Sequence, residues 1–143
     1  MKAKLIQDGP ERTFAVIFSS GDEFLAGIKE FASQHNLRAS HFTAVGAFSD
    51  VTLGYFQRDR KSYKKQKFAE QFEVLALVGD ITLEGDGHMV HPHVVLGRAD
   101  FSTLGGHIKE AHVWPTLEVI VVESPGSLQR HHDEESGLAL IGV

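Results

Sequence analysis

The chain has 143 residues, of which 42% are hydrophobic and 23% charged, and it contains no cysteine. A length and composition of this kind suit one globular domain, residues 1–143, with a core of its own. Disulfides and thiolate ligands are excluded, so any metal would be held by His, Asp, Glu or backbone oxygen. The formal net charge of −5 argues against a whole-surface electrostatic hold on nucleic acid. No leader pattern opens the chain and no apolar run is long enough to span a membrane, so the expected location is the cytoplasm and no membrane partner is expected.

Thr13 to Phe18 is a short, apolar, β-branched run and reads as a strand. Ser20 and Glu23 have the spacing of a capping box, which opens a helix by satisfying free backbone donors. Phe24, Leu25, Ile28, Phe31 and Ala32 follow at helical spacing, and His35-Asn36 can close the turn. Ala39 to Val45 and Val51 to Gln57 read as two strands around a turn near Ser49-Asp50. Phe68 to Leu83 reads as one long strand. Glu84-Gly85-Asp86-Gly87 is a hairpin turn, with His88 to Leu96 returning. Leu117 to Glu123 is an apolar central strand ended by Ser124-Pro125-Gly126, and Leu138 to Val143 can pair at the close. The expected fold class is α+β: a mostly antiparallel β-sheet with one main helix packed on it.

Charge is unevenly distributed. Six of the fourteen Lys and Arg residues (Arg58, Arg60, Lys61, Lys64, Lys65 and Lys67) fall in one ten-residue stretch with a single acid, Asp59. That stretch is a candidate site for DNA phosphate or a small anionic ligand, with Tyr63, Phe56 and Phe68 available for stacking. A solvated hairpin tip, whose lysines block edge-to-edge pairing, is the simpler explanation.

The nine histidines supply the sharper signal. In His91-Pro92-His93 the two imidazoles leave the same face of a strand about 6.5–7 Å apart, close enough to converge on one ion. Pro92 cannot donate to a ladder, which places this end of the strand at an edge or a beginning. His107 follows fourteen residues later, after room for a turn around Asp100 to Thr103. Gly105-Gly106 lets the backbone pass close to a neighbour there. Three neutral imidazoles and an open position are a ligand set typical of catalytic zinc. Nickel, copper, iron and cobalt also accept imidazole, so zinc is the preferred divalent metal among several. A set of hydrogen-bonded histidines at an interface is the alternative.

The remaining candidates carry less. Glu118 lies in an apolar strand, where it could support a metal-bound histidine or act as a general base, or simply face solvent. Glu73 offers the same choice. Arg98 and Asp100 could pair with each other. His88 is expected to be solvated beside its turn, His112 to sit in a polar loop before Trp114-Pro115, and His131-His132 to be unremarkable surface residues. No nucleophile elbow, phosphate loop or dinucleotide fingerprint occurs.

Several segments together resemble the PPC family, the plant and prokaryote conserved domain, in its single-domain prokaryotic form. They are Gln71-Phe72-Glu73-Val74-Leu75, His91-Pro92-His93-Val94-Val95-Leu96, Gly105-Gly106-His107-Ile108, Leu117-Glu118-Val119-Ile120-Val121 and the ending Arg130 with Asp133 to Leu138. The likeness runs from about Arg12 to Val143. It implies an α+β fold, assembly as a homotrimer, and a metal site at His91, His93 and His107. Plant members join the domain to an AT-hook, and no Arg-Gly-Arg-Pro element occurs in these 143 residues. The leading expectation is a metal-binding, homotrimeric PPC-domain protein with a DNA-binding or regulatory role. Its rival is a zinc-dependent hydrolase or lyase acting on a small molecule.

Overall fold

The computed structural model describes residues 1–143. Nine strands and one α-helix follow in chain order: β1 (Lys2–Gln7), β2 (Arg12–Ser19), α1 (Phe24–Gln34), β3 (Ala39–Gln57), β4 (Ser62–Phe68), β5 (Phe72–Glu84), β6 (Gly87–Gly97), β7 (Thr103–Glu123), β8 (Gln129–His132) and β9 (Ala139–Gly142). The fold is α+β, mostly antiparallel sheet with a single helix packed on it. Only the short β5–β8 pairing is parallel.

Two long strands organise the sheet. β7 flanks β3 along nearly its whole length, while the other edge of β3 pairs first with β5 and then with β4. β6 pairs with β5 on one edge and with the start of β7 on the other. The pairings β7–β3, β3–β5, β5–β6 and β6–β7 therefore close a circuit, and the sheet curls around one apolar core. Alternating residues of each strand fill it, including Phe42, Leu77, Leu96, Ile108 and Val119. Helix α1 adds Phe24, Ile28, Phe31 and Ala32 to that core and packs on β6 and β7.

Several local expectations change. The helix is not opened by a Ser20 capping box. Glu23 is its own cap: its carboxylate accepts from Leu25 N at 3.1 Å and Ala26 N at 2.6 Å, and also from Ala111 N of β7 at 3.0 Å. A residue that ties the helix to a strand across 88 positions outcompetes a purely local box. No turn occurs at Ser49-Asp50, because β3 runs straight through it. Asp50 instead accepts from Ser49 Oγ at 3.1 Å and meets His112 Nδ1 at 3.0 Å, so its polarity serves a cross-strand contact. His112 accordingly lies half-buried within β7, not in a loop. The long strand begins at Phe72, not Phe68. The basic stretch is a short 3-10 turn, Arg58–Arg60, followed by the edge strand β4. Arg98 pairs with Glu70 at 3.3 Å, while Asp100 accepts from Ser102 N and Oγ. β1, not foreseen, lies exposed along its length at the sheet edge against β2.

Candidate metal centre

β5 and β6 form a tight hairpin in which Glu84 pairs with Gly87 across a Gly85 in the left-handed region, φ 56°. That turn sets the register for the whole ladder. It places Asp80 opposite His91 and Val78 opposite His93. Pro92, Val94 and Leu96 face the core, so His91 and His93 share the outer face. β6 and β7 pair from Gly97↔Thr103 down to His93↔His107, where the pairing ends. Gly105 makes the approach possible, since a Cβ there would lie 2.6 Å from the carbonyl oxygen of Val94. His107 thus arrives directly beside His93, on the same face.

The three imidazoles form a nearly equilateral cluster, with ring centroids 5.0, 5.2 and 5.3 Å apart. One ligand nitrogen from each lies within 4.8 Å of the others. No carboxylate joins the set. Asp80 stands behind it: its Oδ2 is 3.5 Å from His91 Nδ1, and its Oδ1 accepts from Arg130 Nη2 at 2.7 Å. A carboxylate behind a ligating imidazole fixes its tautomer and raises its basicity. Burial would raise the Asp80 pKa, but hydrogen bonds from His91 and Arg130 overcome it and hold the carboxyl below its usual range.

The environment favours the neutral form of His93 and His107, the form a metal requires. Burial, reinforced by Lys109, His91 and His93, pushes His107 down to about 4. Burial first, then the His91 charge, also lowers His93. His107 Nδ1 is buried without a hydrogen-bond partner, and a buried imidazole nitrogen without a partner is costly unless something coordinates it. The donor set, the backing carboxylate and the orphan nitrogen all fit a divalent metal.

Beyond His93 and His107 the two strands part. Pro92, which lacks an N–H, stands one residue past the last β6–β7 pair. On β7, the register shift that sets Thr52 opposite Glu110 and Leu53 opposite Ile108 makes Lys109 a bulge residue. The fork opens a cavity of about 280 Å³. Its apolar wall comes from Leu25, Met89, Val90, Ile108, Leu138 and Leu140, and its polar end from His91, His107, Lys109, Tyr63 and Arg130. The ammonium of Lys109 lies 3.4 Å from the Tyr63 ring centroid. Gly54 makes room, since a Cβ there would come within 2.9 Å of Lys109 Cε.

Other sequence candidates lie apart from this cluster. Glu118 is exposed and pairs with Ile17 and Val45, whereas His107 pairs with Gly54. Eleven residues along β7 separate it from His107, so within the chain it is not a base for this centre. Glu73 is exposed opposite Gly97 and Ala47. His88 is not solvated as expected: its Nε2 is buried without a partner, outside the cluster. The basic residues are exposed but do not share one face. Lys64 alternates with Lys65 and Lys67 along β4. Lys61 donates to Glu134 O at 2.8 Å, and Lys67 lies 3.9 Å from Asp50. Arg58 and Arg60 occupy the preceding turn. Asp80, Arg130, Tyr63 and Lys109 were not singled out from the sequence as parts of the site. Asp80 left a signal: counting back from the hairpin turn sets it opposite His91.

Fold and site together define a curled antiparallel β-domain carrying a three-histidine cluster at a fork between two strands. The family model for the Plants and Prokaryotes Conserved (PCC) domain matches residues 6–125, and the chain belongs to that family. Among solved structures, it is similar to a metal-containing protein from Archaeoglobus fulgidus, with 29% identity, a TM-score of 0.86 and coverage of 99% of this chain and 97% of that one. It is also similar to a plant- and prokaryote-conserved protein from Pyrococcus horikoshii, with 26% identity, a TM-score of 0.87 and coverage of 99% and 95%. A protein from Bacteroides thetaiotaomicron with a proposed DNA-binding role shares the fold at 23% identity and a TM-score of 0.88, covering 98% of this chain and 96% of that one. No curated protein sequence matches the chain significantly.

Proposed function

We propose that this chain binds a divalent metal, with zinc preferred, through His91, His93 and His107, and presents it to a small molecule in the adjoining cavity. The observation that carries this reading is the convergence of three imidazoles, with no fourth protein ligand, at the polar end of an apolar cleft. A bound ion with an open position supplies Lewis acidity and lowers the pKa of water. The chain's own residues do the rest. Asp80 orients His91, burial holds His107 neutral, and the cavity wall excludes water from one side. A hydrolase or lyase acting on a small molecule is the class of enzyme this arrangement suits. The metal-containing relative from Archaeoglobus supports the first half of the proposal.

The test is metal analysis of wild type beside His91→Ala and His107→Ala, purified without chelator. We expect bound divalent metal in wild type and its loss in both variants. Metal-free wild type, or full retention in His107→Ala, refutes the assignment.

Self-assembly belongs to the same proposal. Val45, Leu75, Val78, Val95 and Ile120 are exposed on the outer sheet face. An apolar face of this kind marks an interaction surface, and a homotrimer, which the family resemblance implies, would cover it. Light scattering at a single monomeric mass refutes this part.

A second reading, DNA binding or regulation, rests on the exposed lysines of β4 and the turn before it. Its support is local, because the lysines are divided between two faces and the net charge is −5. Binding to duplex DNA at low salt that weakens when Lys61, Lys64 and Lys65 are neutralised supports it; no binding at low salt removes it.

A further inference from the structure

The cavity at the strand fork has a definite chemical shape, and that shape selects a ligand class. One wall is hydrocarbon from α1, β6, β7 and the β8–β9 hairpin. The polar lining groups form a connected set: the His107 ring lies 5.2 Å from that of His91 and 5.1 Å from that of Tyr63, and Arg130 reaches His91 through Asp80. Two cations stand there, but they differ in what they have left to give. Arg130 is committed: it donates to Asp80 Oδ1 at 2.7 Å, Thr82 Oγ1 at 2.8 Å and Ala139 O at 2.9 Å. Lys109 makes no ion pair and no hydrogen bond to protein; its ammonium rests on the Tyr63 ring. A cation half-withdrawn from water with no acidic partner is a poor arrangement unless an anion completes it. The β7 bulge and Gly54 both serve to hold that ammonium over the Tyr63 ring, whose centroid lies 5.1 Å from that of His107, so its placement is built by the backbone.

The volume narrows the choice further. At about 280 Å³ the cavity lies at or just below the lower end of the usual range for ligand pockets, about 300–1,000 Å³. One free ammonium is a point charge. It matches a singly charged head better than a phosphate dianion, which calls for several donors or a guanidinium fork.

We propose that the fork between β6 and β7 binds a small monocarboxylate with a short hydrocarbon tail. Its carboxylate sits between Lys109 and the His91–His107 edge of the imidazole cluster, and its tail lies against Leu25, Met89 and Leu140. This rests on the metal reading in one respect: an ion on the imidazoles would bind the same carboxylate from its other side. Lys109 and the hydrocarbon wall act whether or not metal is present. Within this proposal Lys109 is the residue that selects charge, and Leu140, on the C-terminal hairpin, selects length.

Hexanoate is a suitable probe, titrated by calorimetry into zinc-loaded and chelator-treated protein, with metal content measured in parallel. Acetate, 1-hexanol and hexylamine are the controls for tail, charge and charge sign. We expect saturable hexanoate binding that is at least tenfold tighter than binding of acetate, hexanol or hexylamine. Lys109→Met should weaken hexanoate at least tenfold while leaving zinc content and melting temperature unchanged. Leu140→Asp, on an exposed-edge strand, should weaken hexanoate and spare acetate. Failure of the protein to take up zinc, with Lys109-dependent hexanoate binding intact, refutes the metal reading and leaves the pocket standing. Absence of hexanoate binding in both forms, or binding undiminished in Lys109→Met, overturns the pocket whatever the zinc content.

Discussion

Removal of the Asp80 carboxylate separates two roles that the structure gives it. Asp80→Ala deletes the partner of Arg130, whose side chain is only 7% exposed, and the acceptor behind His91. Breaking a fully buried ion pair from one side costs about 3–5 kcal/mol, because a charge is left uncompensated. Asp80 is itself 30% exposed, and Arg130 keeps Thr82 and the Ala139 carbonyl. The expected loss of stability in metal-free protein is therefore smaller, about 2–3 kcal/mol, read from urea unfolding. Independently, loss of the carboxylate behind a ligating histidine weakens metal binding about 10–100-fold. The 3.5 Å separation from His91 places this case near the tenfold end. The double variant Asp80→Ala/Arg130→Met distinguishes the two effects. Replacing the stranded guanidinium by a hydrocarbon should recover at least about 1 kcal/mol of stability. Zinc affinity, measured by competition with a chromophoric chelator, should stay low. Zinc affinity that is unchanged in Asp80→Ala, or that recovers together with stability in the double variant, would refute the orienting role assigned to Asp80.

Two further expectations follow from the same geometry. In metal-free protein, His107 has a folded pKa of about 4 against an ordinary value near 6.5. Since the unfolded chain then binds the proton first, stability is complete above about pH 6.5 and falls as pH drops toward 4, with no further contribution below that. The shift sets a ceiling of about 3 kcal/mol, which screening at this half-exposed ring reduces to about 1 kcal/mol. Unfolding of wild type and His107→Gln across this range should give a steeper pH dependence for wild type, and parallel curves would contradict the assignment. Glu23→Ala strips the acceptor from three backbone donors, at Leu25, Ala26 and Ala111. The expected cost is about 2 kcal/mol with faster amide exchange at Ala111, whereas a loss confined to the helix would mean that the strand contact contributes nothing.

Local pattern was enough for part of this molecule. Helical spacing from Phe24 to Ala32 defined α1, and the Glu84 to Gly87 turn defined the β5–β6 hairpin and with it the face shared by His91 and His93. The His-Pro-His and Gly-Gly-His segments named the cluster because strand periodicity and glycine backbone freedom are local properties. What spacing could not settle was which distant strands lie side by side. Ser49-Asp50 has the composition of a turn, yet β3 passes through it, since Asp50 is satisfied by His112 from 62 residues away. Glu118 looked like a base by composition, and the register of β7 sets it opposite Val45, eleven residues along the strand from His107. The convergence of His107 on His93 depends on the β6–β7 register, which is set by closure of the curled sheet around its core. Lys109 and Tyr63 reach the site through a bulge and an edge strand, features that depend on pairing partners and leave no local mark. The ligand types of the metal centre were thus written in the sequence, while the cavity beside it exists only because two strands that pair at His93 and His107 separate immediately beyond them.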